Sequence, residues 1–591
     1  MTEGDPRGVH DRGRRRLLRG AALGAGALAL RPLWALAAPD EPTVLTGNTF
    51  DLRIGRTPVN ITGRTASAFT VNGLMPGPVL RWREGNTVDI RVRNTLDTPS
   101  SIHWHGLLLP ANMDGVPGMS FDGIPPGGDY RYQFKVRQSG TYWYHSHSSL
   151  QEQAGLLGAI IIDPAGPDPL ACERDYVVLL SDWTDLPPAR LLARMKKRSD
   201  YDNLHKRTLA DFVRDARRDG LSATLADRRV WGAMRMSPTD LADVNGHTYT
   251  FLANGHTAAQ NWTALFAPGE RVRLRFINGA AMTFFDVRIP GLSMTVVAAD
   301  GQPVHPVEID EFRIAPAETF DVIVQPTAAI AHTVFAQAMD RSGYTRITLA
   351  PRPGMQAPIP ALDRRPLLTM QDMGHGGHGG QAKVAGTEMA CGAAMNMAGM
   401  AGMDMAGMEH GGHAGAPMQA HPASERGNPD VDMQTMMPTP RLDDPGIGLR
   451  DNGRRVLRYA DLRSLQPPAD ERPPSRDIEL HLTGNMERYT WGFDGVRFSD
   501  AEPIRLRYGE RVRLVLVNDT MMEHPIHLHG MWSDLEDADG RFLVRKHTVS
   551  MPPGTRRSIR VTADALGRWA FHCHMLLHME TGMMREVRVE E

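Results

Sequence analysis

With only 3 Cys in 591 residues, the chain has no disulfide framework of the kind that staples small exported domains. It has no apolar run long enough to span a membrane, because the stretch from Gly20 to Leu30 falls well short of a bilayer's thickness. Charge of one sign is missing too: the formal net charge is -2 and no sustained basic face is present, which excludes a nucleic-acid binder. Long helical patterns are scarce, and only residues 187 to 230 carry Arg and Leu at helical spacing. What the chain does have is 33 Met and 23 His, a large stock of thioether and imidazole ligands that directs attention to metal chemistry. Its length calls for three or four domains.

Residues 1–38 are expected to be an export signal. Arg14 and Arg15 form a twin-arginine pair ahead of the apolar stretch, and small residues at Ala37 and Ala38 offer a cleavage site. A bacterial periplasm follows as the expected location.

Past the signal, one pattern occurs three times. A Gly, an alternating strand and an Asn nine positions on recur at Gly85–Asn94, Gly269–Asn278 and Gly509–Asn518. Each copy is followed by a turn, at Pro125-Pro126-Gly127, Ala315-Pro316-Ala317 and Pro552-Pro553-Gly554, and by another alternating run. Short strands punctuated by Gly and Pro predict an all-β chain of three tandem Greek-key β-sandwiches, at residues 43–165, 172–350 and 475–591. Residues 351–440 interrupt the spacing with a segment rich in Met, His, Gly and Ala, including the run from Met397 to Met408. It lacks the β-branched and aromatic residues of a core and is expected to be mostly disordered.

Eighteen and twenty positions after the repeat Gly, copy one has His103 and His105 and copy three has His527 and His529, whereas copy two has Val287 and Ile289. Residues two apart on a strand share a face, so each pair can offer two imidazoles to one metal cluster. A second set follows the same logic, His145 and His147 in copy one and His572 and His574 in copy three. Cys573 points to the opposite face from its two neighbours. With His524 and His578, and Met583 ten residues on as a weak axial thioether, it completes the ligand signature of a blue-copper electron-transfer centre.

These motifs, His103-Trp104-His105-Gly106, His145-Ser146-His147, His524-Pro525-Ile526-His527-Leu528-His529-Gly530 and His572-Cys573-His574, resemble those of the multicopper oxidases, in family order. The twin-arginine signal and the Met-rich segment make the resemblance strongest to the copper-resistance protein A family. The resemblance implies three cupredoxin domains and four copper ions, with the type 1 ion in the last domain. It implies that His103 and His527 hold the type 2 ion, and that His105, His145, His147, His529, His572 and His574 hold the type 3 pair. It also places Asp114, in an Asp-Gly turn, near the water path of the trinuclear cluster. In related cuprous oxidases a proton-delivering carboxylate directly follows the histidine matching His578. Here that position is Met579, with Glu580 one residue on as the candidate acid.

The implied partners are O2 and an electron donor, either Cu(I) or a phenol, for a chain expected to be a monomer. The Met397–Met408 run, with His375, His378, His410 and His413 nearby, favours Cu(I) as donor or as extra cargo. Two alternatives stand beside a cuprous oxidase: a laccase-like phenol oxidase, and a non-catalytic periplasmic protein that sequesters copper. Cys172 and Cys391 are left to pair with each other, or Cys391 to act as a further soft ligand.

Overall fold

The computed structural model describes residues 41–375 and 418–591. The signal segment, the run from Met397 to Met408, Cys391, His378, His410 and His413 therefore lie outside the described residues.

Six sheets pair into three sandwiches: a five- and a four-stranded sheet, then seven and five strands, then six and five. The strand found by the repeat sits in the same place each time. Thr87–Asn94, Val272–Asn278 and Arg511–Asn518 each have a parallel neighbour on one side, Thr49–Asn60, Arg174–Trp183 and Arg476–Asn485. On the other side each has an antiparallel neighbour, Asp129–Lys135, Thr319–Val324 and Arg556–Thr562. Those three antiparallel strands are the ones that the Pro-rich turns lead into.

The recurring Asn also has a structural cause. Asn94, Asn278 and Asn518 are fully buried, and each donates its amide to two or more backbone carbonyls, such as Thr283 O and Ile314 O for Asn278. Each also accepts from the backbone N–H two residues on, at Leu96, Ala280 and Thr520. In return its own carbonyl accepts from the third turn residue, Gly127, Ala317 or Gly554, which takes positive φ. Asn278→Ala would leave these buried groups unpaired and is expected to destabilise domain two by about 3 kcal/mol. A lowered melting temperature with unchanged visible absorption would show it.

Domain two carries the predicted helical insertion as three helices, Pro188–Lys197, Leu209–Asp219 and Leu221–Ala233. None of the helices among the described residues is long and apolar enough to cross a membrane. In this domain Val287 and Ile289 are buried in apolar core where the flanking domains place histidines. The ends of the interdomain segment, residues 351–375 and 418–440, run as irregular chain against the sandwiches. Leu368, Met373 and Met433 are buried there, and Thr439 forms a bridge to Thr555.

Candidate metal centres

Two short strands per site bring the histidines together. His103–His105 pairs antiparallel with Gly140–His145, setting His103 opposite His145. His524–Leu528 pairs with Gly567–Cys573, setting His527 opposite His572 and Ile526 opposite Cys573. Domains one and three then face each other, so that His147 Nε2 lies 3.3 Å from His572 Nε2, and His145 Nε2 3.3 Å from His574 Nε2. His529 Nε2 is 3.0 Å from His572 Nε2, and the rings of His105 and His527 stack at 3.8 Å. All eight histidines of the four pairs are buried in one interdomain cluster. Triads such as His147, His529 and His572, or His103, His527 and His529, converge as metal ligands do.

The surroundings orient these rings. His529 Nδ1 is 2.8 Å from Asp114 Oδ2, and His103 Nδ1 is 2.8 Å from the Asp114 carbonyl, so the Asp-Gly turn clamps one histidine from each domain. Gly115 is required in that turn because a Cβ there would lie 1.9 Å from the Ile102 carbonyl oxygen. His527 Nδ1 reaches the His547 carbonyl at 2.6 Å and His572 Nδ1 the Cys573 carbonyl at 2.9 Å. Holding one ring nitrogen this way fixes which nitrogen faces the centre.

The cluster fits metal. Burial, and then neighbouring imidazoles, push His105, His145, His147, His527, His529 and His574 well below the ordinary imidazole pKa. Burial lowers His572 to about 4. Neutral rings are the ligating form. His103 Nε2, His105 Nδ1 and His527 Nε2 are buried without a hydrogen-bond partner, an expensive arrangement in an interior unless a metal ion is bound.

The second constellation lies on the other face of the Cys573 strand. Cys573 Sγ is 3.5 Å from His524 Nδ1 and 3.9 Å from His578 Nδ1, and the two nitrogens are 3.1 Å apart. Met583 is fully buried beside them, its carbonyl accepting from the Cys573 N–H at 3.1 Å. The outer nitrogens are also held: His524 Nε2 by Thr520 Oγ1 at 2.7 Å, and His578 Nε2 by Asp243 Oδ2 at 2.7 Å. Trp491 stacks on His578 at 3.9 Å, and the Tyr489 hydroxyl donates to Asp243. Burial pushes the Cys573 thiol far above its ordinary value, so a cation is needed to hold it as thiolate. This donor set fits copper.

Models of the multicopper oxidase family match residues 53–166, 174–350 and 471–591. A copper resistance protein A homolog of Pseudomonas syringae pv. tomato is 62% identical over 568 residues, covering 95% of each chain. The chain belongs to the multicopper oxidases. Copper resistance protein A of Escherichia coli is 59% identical, covering 98% of this oxidase and 99% of its relative. Among solved structures, Fet3p, a multicopper oxidase that functions in iron import, superposes with a TM-score of 0.64 at 19% identity. The match covers 92% and 91% of the two chains and shows the shared fold.

The structure leaves one candidate acid of this oxidase apart from the cluster and brings in groups that the sequence did not single out. Glu580 ends the short helix Leu576–Glu580 with its side chain exposed, and no hydrogen bond or ion pair ties it to the histidines. A second carboxylate at the cluster, besides Asp114, is Glu152, fully buried, with Oε2 2.7 Å from His145 Nδ1. His547 is a ninth histidine at the cluster, its Nδ1 3.1 Å from His105 Nε2. Asp243 and Thr520 were also missed. A carboxylate five residues past His147 was the available sign for Glu152; the lone His547 and Asp243 carried none. Cys172 is a free thiol among the described residues, half-buried in domain two.

Proposed function

We propose that the chain is an exported, periplasmic copper-resistance enzyme that oxidises Cu(I) to Cu(II) and reduces O2 to water. The observation that carries this reading is the His572-Cys573-His574 strand, whose alternate faces serve two buried ligand sets. His524, Cys573 and His578, with Met583 as a weak thioether donor, would hold a type 1 copper; His103 and His527 the type 2 ion; and His105, His145, His147, His529, His572 and His574 the type 3 pair. When bound, these four ions accept electrons singly at the first site and deliver four to O2 at the second.

The protein's own part is connection, orientation and proton supply. Cys573 is bonded through the backbone to a histidine of the cluster on either side, giving a short covalent route. Asp114 fixes the His103 and His529 rings. Burial, and then the Asp182 charge, push the Glu152 carboxyl above the usual carboxylate range, and at 2.7 Å from His145 Nδ1 it stands at the cluster's edge where a proton can be exchanged.

Cu(I) is favoured over a phenol because His578 and His524 are fully buried. A phenol would need an exposed imidazole edge, whereas the outward contact of His578 is the Asp243 carboxylate, which suits a cation. The Met-rich run adds thioethers with affinity for Cu(I).

Residues 418–437 include packed chain, so the informative deletion is 376–417. It is expected to leave the blue colour intact and to lower Cu(I) oxidation at low Cu(I), as local supply is lost. Oxidation of 2,6-dimethoxyphenol should hold or rise. Oxygen uptake with both donors tests it: equal loss of both would make the segment structural, and unchanged Cu(I) oxidation would make it a store or a passive linker.

A further inference from the structure

Away from both copper centres, four buried or half-buried side chains of domain three and the interdomain segment converge. His481 Nδ1 is 2.6 Å from Asp519 Oδ2 and 3.7 Å from Glu425 Oε1. His421 Nδ1 is 3.2 Å from Asp519 Oδ2 and 3.2 Å from Glu425 Oε2. The two rings lie 5.0 Å apart at 62°. A four-coordinate ion with bonds of about 2.0 Å keeps its ligand atoms about 3.3 Å from one another, and these four separations scatter around that value.

The far nitrogens are anchored as they are on ligating histidines: His421 Nε2 on the Thr435 carbonyl at 3.0 Å, and His481 Nε2 on Glu479 Oε1 at 3.1 Å. Both Nδ1 atoms are thereby turned toward the shared carboxylates. Asp519 and Glu425 are almost wholly buried side by side, a placement that demands positive charge. Glu425 Oε1 has no hydrogen-bond partner.

We propose that His421, His481, Glu425 and Asp519 form a further metal site that takes a divalent transition-metal ion, Cu(II) in preference to Zn(II). Imidazole and carboxylate without sulfur suit Cu(II) rather than Cu(I), and Cu(II) binds such a set more tightly than Zn(II) does. The site has a defined place in the chain. His375 and His421 border residues 376–417 in sequence, and Asp519 precedes Thr520, which holds His524. In sequence the site stands between the Met-rich segment and the ligands of the blue centre, and its donors suit the oxidised product. Binding at this site does not depend on which donor the enzyme oxidises.

The test is equilibrium dialysis of the copper-loaded full chain against Cu(II) buffered by glycine. It is run beside His421→Ala, the near-isosteric Glu425→Gln, and the 376–417 deletion. One equivalent beyond the loaded enzyme should bind to the full chain and survive the deletion. It should weaken at least about 100-fold in both point variants while their blue band is unchanged. Zn(II) should compete for it, and less tightly. The proposal is overturned if either blue variant keeps the equivalent, or if the deletion removes it, since the ion would then belong to residues 376–417. Loss of the blue band in both point variants would overturn it as well, showing a network of structural ion pairs.

Discussion

Replacing Cys573 by Ser is expected to abolish the blue thiolate-to-copper absorption and all oxidase turnover while the eight-histidine cluster remains metallated. The hydroxyl is nearly isosteric with the thiol, and the position is fully buried between two paired strands, so the fold has little reason to change. What is lost is the soft anionic donor, because a buried serine does not ionise to take the place of a thiolate. No substitute is at hand: the other described cysteine, Cys172, lies in a different domain. The histidines of the cluster are carried on the opposite face of the same strand and on three others. Copper analysis should therefore show one ion fewer, with a colourless protein that consumes no O2. A variant that stayed blue would remove Cys573 from the site and with it the proposed electron route.

Most of both candidate ligand sets was legible because strand geometry ties them to the sequence. His-x-His puts two rings on one face, the intervening Cys573 on the other, and the Gly-to-Asn repeat fixes where each pair falls in its domain. The groups that orient those rings were less legible. Asp243 meets His578 across 335 positions, and Asp114 meets His529 across 415; only the family resemblance singled out Asp114. His547 has no partner histidine at strand spacing, and its place at the cluster follows from the pairing of Thr548–Met551 with His524–Leu528. Composition misjudged the borders of the interdomain segment for a related reason. Gly- and Pro-rich chain cannot build a core of its own, yet Met373 and Met433 find burial against sandwiches already formed.

Glu152→Gln should slow turnover by about 100-fold without loss of copper or colour, the size of effect that follows removal of a positioned proton donor. Reduction of O2 to water takes up four protons, and Met579 stands where related cuprous oxidases carry their proton-delivering acid. Glu580 has no hydrogen bond or ion pair to the cluster histidines among the described residues. Glu152 does reach the cluster: Oε2 contacts His145 Nδ1 at 2.7 Å, Oε1 is buried without a partner, and the carboxyl's pKa is raised by burial. A glutamine amide keeps the shape and can still accept from His145 through its oxygen, so the ring should stay in place. What it cannot do is give up a proton and take it back. The two halves of the cycle separate these roles. Bleaching of the blue band by Cu(I) under argon should run at the native rate in Glu152→Gln, whereas the return of colour on adding O2 should be slow. Glu580→Gln should match the native enzyme in both. Native recolouring in Glu152→Gln would reduce Glu152 to a residue that only positions His145, and loss of copper from the variant would show that even that positioning cannot be separated from holding the metal.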